Sequence, residues 1–185
     1  MDAQSMTPIP ASMQLVPPDV RFRESYLNAY NEMLTDVERG SWLYLGTRAP
    51  SNVPADDFAG YVQTLLMRET VPPQGFVRDS CYWAVVGNEL VGRISLRLEL
   101  NDFLARWGGH IGYIVRPSYR RMGIATEMLR RLLQMDAAKS IGRLLITCDE
   151  GNVASEKTIV NNGGVYESTL EIADGLPKKR FWITA

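Results

Sequence analysis

Val115-Arg116-Pro117-Ser118-Tyr119-Arg120-Arg121-Met122-Gly123-Ile124-Ala125-Thr126 lies between a β-branched run ending at Val115 and an amphipathic segment reaching about Ala138. The order this predicts is strand, turn, helix. Gly123 falls where the first helical turn should begin, so the backbone can approach a ligand there with no side chain in the way. The first N–H groups of a helix lack internal partners and sit at the positive end of the macrodipole, which makes such an end an anion site. Arg116, Arg120 and Arg121 add full positive charge, and a guanidinium fork matches phosphate oxygens. A diphosphate suits this turn. A solvated, arginine-rich helix entry is the other reading of the same residues, and local composition does not separate the two.

Working outward, the helix after the turn places Ile124, Ala125, Met128, Leu129, Leu132 and Leu133 on one face, with Glu127, Arg130, Arg131 and Gln134 opposite. Ile141-Gly142 ends it, and Leu144 to Cys148 reads as a strand covered on both faces. The result is a βαβ unit with an expected right-handed crossover. Upstream, Ser80 to Val86 and Leu90 to Leu100 read as a hairpin around Gly87-Asn88-Glu89, and His110 to Val115 as a third strand. Gly112 inside that strand predicts a bulge or a close backbone approach. Asn152 to Asn162 reads as a short helix, and Val165 to Ile172 with Arg180 to Thr184 as a closing hairpin around Asp174 to Pro177. Toward the N-terminus, Phe22, Tyr26, Leu27, Tyr30, Met33 and Leu34 recur at helical spacing, with a stop near Gly40. Trp42 to Asp56 reads as a loop with Pro50 and Pro54. A second helix carries Phe58, Tyr61, Val62, Leu65 and Leu66 and closes before Pro72. Residues 1–18 read as a loose tail holding one short strand, Met13 to Val16. The chain is expected to form one domain over 1–185, with no internal repeat.

In its strand and helix setting, Arg120-x-x-Gly123-x-Ala125 resembles motif A of the GNAT family of N-acetyltransferases, which bind acetyl-coenzyme A. Asn152-Val153-Ala154-Ser155 followed by Asn161-Asn162-Gly163-Gly164 resembles that family's segment after the fifth strand. The resemblance implies an α/β (α+β) fold: a mixed, mostly antiparallel twisted sheet of six to seven strands, a central βαβ unit and about four helices. It implies acetyl-CoA as cosubstrate, with the pyrophosphate cradled by Arg120, Arg121, Met122, Gly123, Ile124, Ala125 and Thr126. Backbone of Tyr113, Ile114 and Val115 would polarise the thioester beside a splayed strand, and Asn152 and Ser155 would also meet the coenzyme. Many relatives are dimers, and the final hairpin offers an edge strand, so a homodimer is the expected assembly.

Composition bounds the rest. With 45% hydrophobic and 22% charged residues the chain can build a sizeable core, and a net charge of −1 exerts no global pull toward nucleic acid or anionic membrane. Arg116, Arg120, Arg121, Arg130 and Arg131 have no wider basic surface behind them, so nucleic-acid binding is the weaker reading. No Walker phosphate loop occurs. Cys81 and Cys148 lie in separate apolar runs and read as buried thiols, and no metal-ligand cluster stands out. No apolar run approaches the roughly 18 residues of a membrane span, and the N-terminus lacks a signal-peptide pattern, so a cytoplasmic location is expected.

Acetyl transfer needs a neutral amine, a held thioester, donors for the developing oxyanion and a proton for the departing thiolate; no catalytic triad is required. His110, the one histidine, is the candidate general base, against a purely structural reading in which it bonds backbone at the strand start. Glu99, Asp149 and Glu150 are competing carboxylates. For the general acid the chain departs from the family: Ile159 stands where many members carry a tyrosine, seven residues after the Asn. Ser155 is the candidate in its place, with Thr158 and Tyr166 nearby and helix capping as the structural alternative for Ser155. Trp42, Trp83 and Trp107 are candidate walls of an acceptor pocket. The function expected is acetyl-CoA-dependent transfer to a primary amine of a small molecule or peptide. The alternative is a non-catalytic acyl-CoA-binding module.

Overall fold

The computed structural model describes residues 12–38, 56–173 and 175–185. In chain order the elements are β1 (Gln14–Val16), α1 (Arg23–Glu38), α2 (Phe58–Met67), β2 (Asp79–Val86), β3 (Glu89–Arg97), β4 (Ile111–Val115), α3 (Ile124–Leu133), α4 (Asp136–Ile141), β5 (Arg143–Asp149), α5 (Val153–Asn161), β6 (Val165–Leu170) and β7 (Lys178–Thr184). The helix starts follow local chemistry. Asp57 accepts the Gly60 N–H at 2.8 Å and opens α2, and Asn152 accepts the Ser155 N–H at 3.0 Å and opens α5.

The seven strands form one sheet in the order β1-β2-β3-β4-β5-β7-β6, in which only β4 and β5 run parallel. Alternation along the strands divides the core in two. On one face Ile94, Leu96, Ile111, Leu144, Ile146, Phe181 and Ile183 pack under Ile124, Met128, Leu129 and Leu132 of α3 and Ile159 of α5. On the other, α1 and α2 bring Tyr26 and Phe58 onto Trp83, whose ring lies 5.0 Å and 6.2 Å from theirs. Trp83 is 0% exposed, so it is a core residue and no part of an acceptor pocket. Trp42 lies outside the described residues.

Three expectations change. The helix after the turn is not continuous to Ala138: α3 ends at Leu133, the Met135 N–H closes a tight turn onto the Leu132 carbonyl, and α4 begins at Asp136. Strand β3 stops at Arg97 rather than Leu100. Gly112 makes no bulge, because β3 and β4 pair without a break from Gly92↔Val115 to Leu96↔Ile111; the irregularities fall at Ala84/Val85 and Tyr166/Ser168.

Candidate active site

Strands β4 and β5 pair at a single position, Ile111↔Ile146, and then part. Which groups face the opening follows from the ladders on either side. The Arg97 N–H donates to the His110 carbonyl and the Arg116 N–H to the Val91 carbonyl, so every second residue of β4, including Gly112 and Ile114, points its backbone at β3. Tyr113 and Val115 point theirs at the opening. On β5 the Glu150 N–H bonds the Pro177 carbonyl, which turns Leu144, Ile146 and Cys148 to β7 and leaves Thr147 facing the gap. A central strand should have both edges bonded; here the Tyr113 and Val115 N–H groups and the Thr147 carbonyl border a slot, the Thr147 N–H being spent on the Ile111↔Ile146 pair. Ile114, grouped with Tyr113 and Val115 on sequence, is paired with β3 and cannot contribute its backbone.

At its narrow end the slot is pinned by Gly109 and His110. Gly109 has φ +65°, and a Cβ there would come within 2.6 Å of the Leu145 carbonyl. His110 donates its N–H to that carbonyl at 2.7 Å, and its Nδ1 accepts the Leu145 N–H at 2.9 Å. That bond places the neutral ring's proton on Nε2 and leaves no free lone pair, so His110 joins strands and is not poised as a general base. Burial, reinforced by the Arg97 charge, holds its pKa below the usual imidazole value. The unfolded chain therefore binds more protons just below about pH 6.5, so stability is complete above that pH and declines as pH falls below it. Denaturant titrations of His110→Gln are expected to show a flatter dependence of stability on pH between about 5 and 6.5 than the native chain. An unchanged slope would assign the titration elsewhere.

At its open end the slot meets the turn. Gly123 is left-handed at φ +76° and caps α3, and the Glu127 N–H to Gly123 carbonyl bond at 3.0 Å starts the helical ladder. The Gly123, Ile124, Ala125 and Thr126 amides precede it and lack helical partners. Arg121, at φ +65°, is the one left-handed non-glycine among the described residues, and a left-handed residue next to a right-handed one is the unit from which anion nests are built. The side chains of Met122, Ile124 and Ala125 pack into the core, so these residues can serve a ligand only through backbone. The arginines divide. Arg116 is an internal bolt, held by Glu32 at 2.7 Å and Glu89 at 2.8 Å and not free for phosphate as the sequence reading had it. Arg120 lies on Asp36, and Arg121 is exposed with no ion pair among the described residues. Burial opposes charge on Glu32, but bonds from Arg116 and Ser118 outweigh it and hold its pKa below the usual carboxylate range. No motif marks Glu32 or Asp36; their one-turn spacing on α1 is the only hint.

Flanking the slot, the Tyr113 hydroxyl lies 2.7 Å from Ser155 Oγ and beside the Thr158 hydroxyl. Ser155 therefore does not cap α5; Asn152 does, with its amide oxygen. Burial pushes the Tyr113 phenol up to about 12, which keeps it a neutral donor. Cys148 lies close by, raised to about 11 by burial and by Glu156, and stays a thiol.

An acetyltransferase (GNAT) domain model matches residues 20–165. The chain belongs to the GNAT family. Its fold is also that of solved GNAT structures. The microcin C7 self-immunity acetyltransferase MccE, in complex with acetyl-CoA and AMP, is 17% identical with a TM-score of 0.69, covering 98% of this chain and 99% of that one. RimJ of Mycobacterium smegmatis, in complex with CoA-disulfide, is 22% identical with a TM-score of 0.67, covering 96% and 85%. A chimera of the Vibrio cholerae spermidine N-acetyltransferase SpeG is 15% identical with a TM-score of 0.59, covering 94% and 96%. At these identities the likeness is one of fold. No curated protein sequence matches the chain. The GNAT family uses acetyl-CoA as cosubstrate.

Against the GNAT pattern, the other sequence candidates disperse. Ile159, at the tyrosine position, is 0% exposed and part of the core, so no hydroxyl enters there. Tyr166 lies on outer strand β6, bonded to Thr169. Asp149 pairs with Lys178 and Glu99 with Arg78. Trp107 is half-buried against Phe103, and its carbonyl accepts the Thr147 hydroxyl one residue past the strand junction. No helix among the described residues is long and apolar enough to cross a membrane.

Proposed function

We propose that the protein transfers the acetyl group of acetyl-CoA directly to a primary amine. The observation that carries this reading is the slot itself, which runs from the unpaired amides at the start of α3, between β4 and β5, to the closed junction at Ile111 and Ile146. The turn receives the diphosphate on backbone N–H groups. Tyr113, Val115 and Thr147 offer a strand-like edge to the pantetheine amides, and a Tyr113 or Val115 N–H faces the thioester oxygen as negative charge develops on it. The amine attacks the acetyl carbon, the C–S bond breaks, and the amine's surplus proton passes to solvent. Ser155 gives a proton to the departing thiolate and regains one through Tyr113. Relatives by fold act on the α-amine of a ribosomal protein and, in SpeG, on spermidine, which brackets the acceptor classes to test.

A thermal-melt titration comparing acetyl-CoA, CoA, ATP and NAD tests the coenzyme reading. A ligand at ~100 times its dissociation constant adds about 2.7 kcal/mol, roughly 5 to 10 °C for a chain of this size. Shifts with both CoA species and little with ATP or NAD are expected; no shift with either CoA species would refute the assignment of the turn. Thiol release in the presence of peptide amines and polyamines then reads turnover, and binding without release would favour the non-catalytic alternative.

A further inference from the structure

Glu32 and Asp36 stand one turn apart on α1, and both reach the phosphate turn from a helix 80 or more residues earlier in the chain. Glu32 grips its first half: Oε1 accepts from Arg116 at 2.8 Å (Nε) and 2.7 Å (Nη2), and Oε2 accepts the Ser118 N–H at 3.2 Å. Asp36 meets its second half, with Oδ2 at 2.7 Å from Arg120 Nη2, while Arg120 Nε donates to the Val115 carbonyl at 3.3 Å. The two ion pairs differ in accessibility. The Arg116 side chain is 10% exposed and shared by two carboxylates, whereas Arg120 and Asp36 are 39% and 22% exposed. Only the second pair can exchange partners without uncovering a buried charge. A recess of about 220 Å³ lined by Glu32, Thr35, Asp36 and Pro117 gives Asp36 room to turn away.

We propose that Asp36 is the resident counter-ion of the phosphate turn: it holds Arg120 in the free enzyme and yields it when the coenzyme's phosphate arrives. The inference rests on the coenzyme reading above and adds to it a residue outside every motif. Two anions compete for one guanidinium, so the carboxylate lowers coenzyme affinity both by occupying Arg120 and by repelling the incoming phosphate. Glu32 has the opposite role: it keeps Arg116 and the Ser118 amide in place while the exchange occurs.

Calorimetric titration of the full chain with CoA tests this. Asp36→Asn is expected to bind CoA ~2- to 5-fold more tightly at low salt, the range of a partly exposed pair, with the gain shrinking as salt screens the charges. Glu32→Gln is expected to bind more weakly. In an Arg120→Gln background, which itself weakens binding, Asp36→Asn should bring a smaller gain, from relieved repulsion alone, because the contested cation is gone. A tighter complex cannot arise from a folding defect, so the sign is diagnostic. Unchanged or weaker binding by both Asp36→Asn and Asp36→Ala would overturn the proposal while leaving the coenzyme site intact. A native chain that binds no CoA would overturn the coenzyme reading itself.

Discussion

Gly123→Val is expected to weaken acetyl-CoA binding by about 100-fold while the domain still folds, the equivalent of losing two charge-assisted hydrogen bonds of ~1.5 kcal/mol each. Gly123 caps α3 in the left-handed region at φ +76°. A β-branched residue is strongly disfavoured there, so the peptide must rotate and carry its neighbours' N–H groups off the phosphate. The strain also costs about 1 to 2 kcal/mol of stability, a fraction of the 5 to 15 kcal/mol typical of a domain. Gly123→Ala should fall between, sharing the φ penalty with less crowding. Calorimetry with acetyl-CoA and a denaturant titration separate the two effects, and affinity within threefold of native for the valine variant would show that ligand does not rest on this turn.

Ser155→Ala is expected to lower kcat by about 100-fold, the low end of general-acid contributions, with little change in KM for acetyl-CoA. The low end applies because a thiolate is itself a tolerable leaving group, so protonation assists departure without being indispensable. Tyr113→Phe should reproduce most of the loss: its hydroxyl, 2.7 Å from Ser155 Oγ and pushed up to about 12, stays protonated at neutral pH and is the proposed route by which the serine recovers its proton. If the two hydroxyls form one relay, the double variant should be scarcely worse than either single one. Additive losses would mean separate roles, and a Ser155→Ala enzyme within twofold of native kcat would leave the pair as a structural contact between β4 and α5.

Much of this architecture is local and so was legible in the sequence. Gly123 at a strand-to-helix transition, the apolar stripe of α3 and the short Gly87-Asn88-Glu89 connection each announce themselves within a dozen residues, and each is where it was expected. What could not be read depends on partners far apart. Arg116 looks like a phosphate ligand until Glu32, 84 positions earlier, is brought against it. Ser155 looks like a helix cap until Tyr113, 42 positions away, takes its hydroxyl. Gly112 suggested that β4 opens by bulging, but β4 is regular and the slot opens because β5 leaves it after one pair. The break at Met135 also had no advance sign, since Gln134 to Asp136 are all tolerated in helices.

Among the described residues, the single Ile111↔Ile146 pair, with the two His110–Leu145 bonds beside it, is the whole strand-to-strand connection between β1–β4 and β5–β7–β6. Mechanically the sheet is two ribbons riveted at one point, with a missing strand between them. On the proposed reading a bound pantetheine arm would occupy that place, and the cosubstrate would act as a removable piece of secondary structure that couples the ribbons into one cooperative unit. Amide exchange should record the difference: without ligand, Tyr113 and Val115 exchange fast while Gly112 and Ile114 beside them are protected, and with acetyl-CoA the alternation disappears. Persistence of that alternation in the complex would show that the arm runs elsewhere.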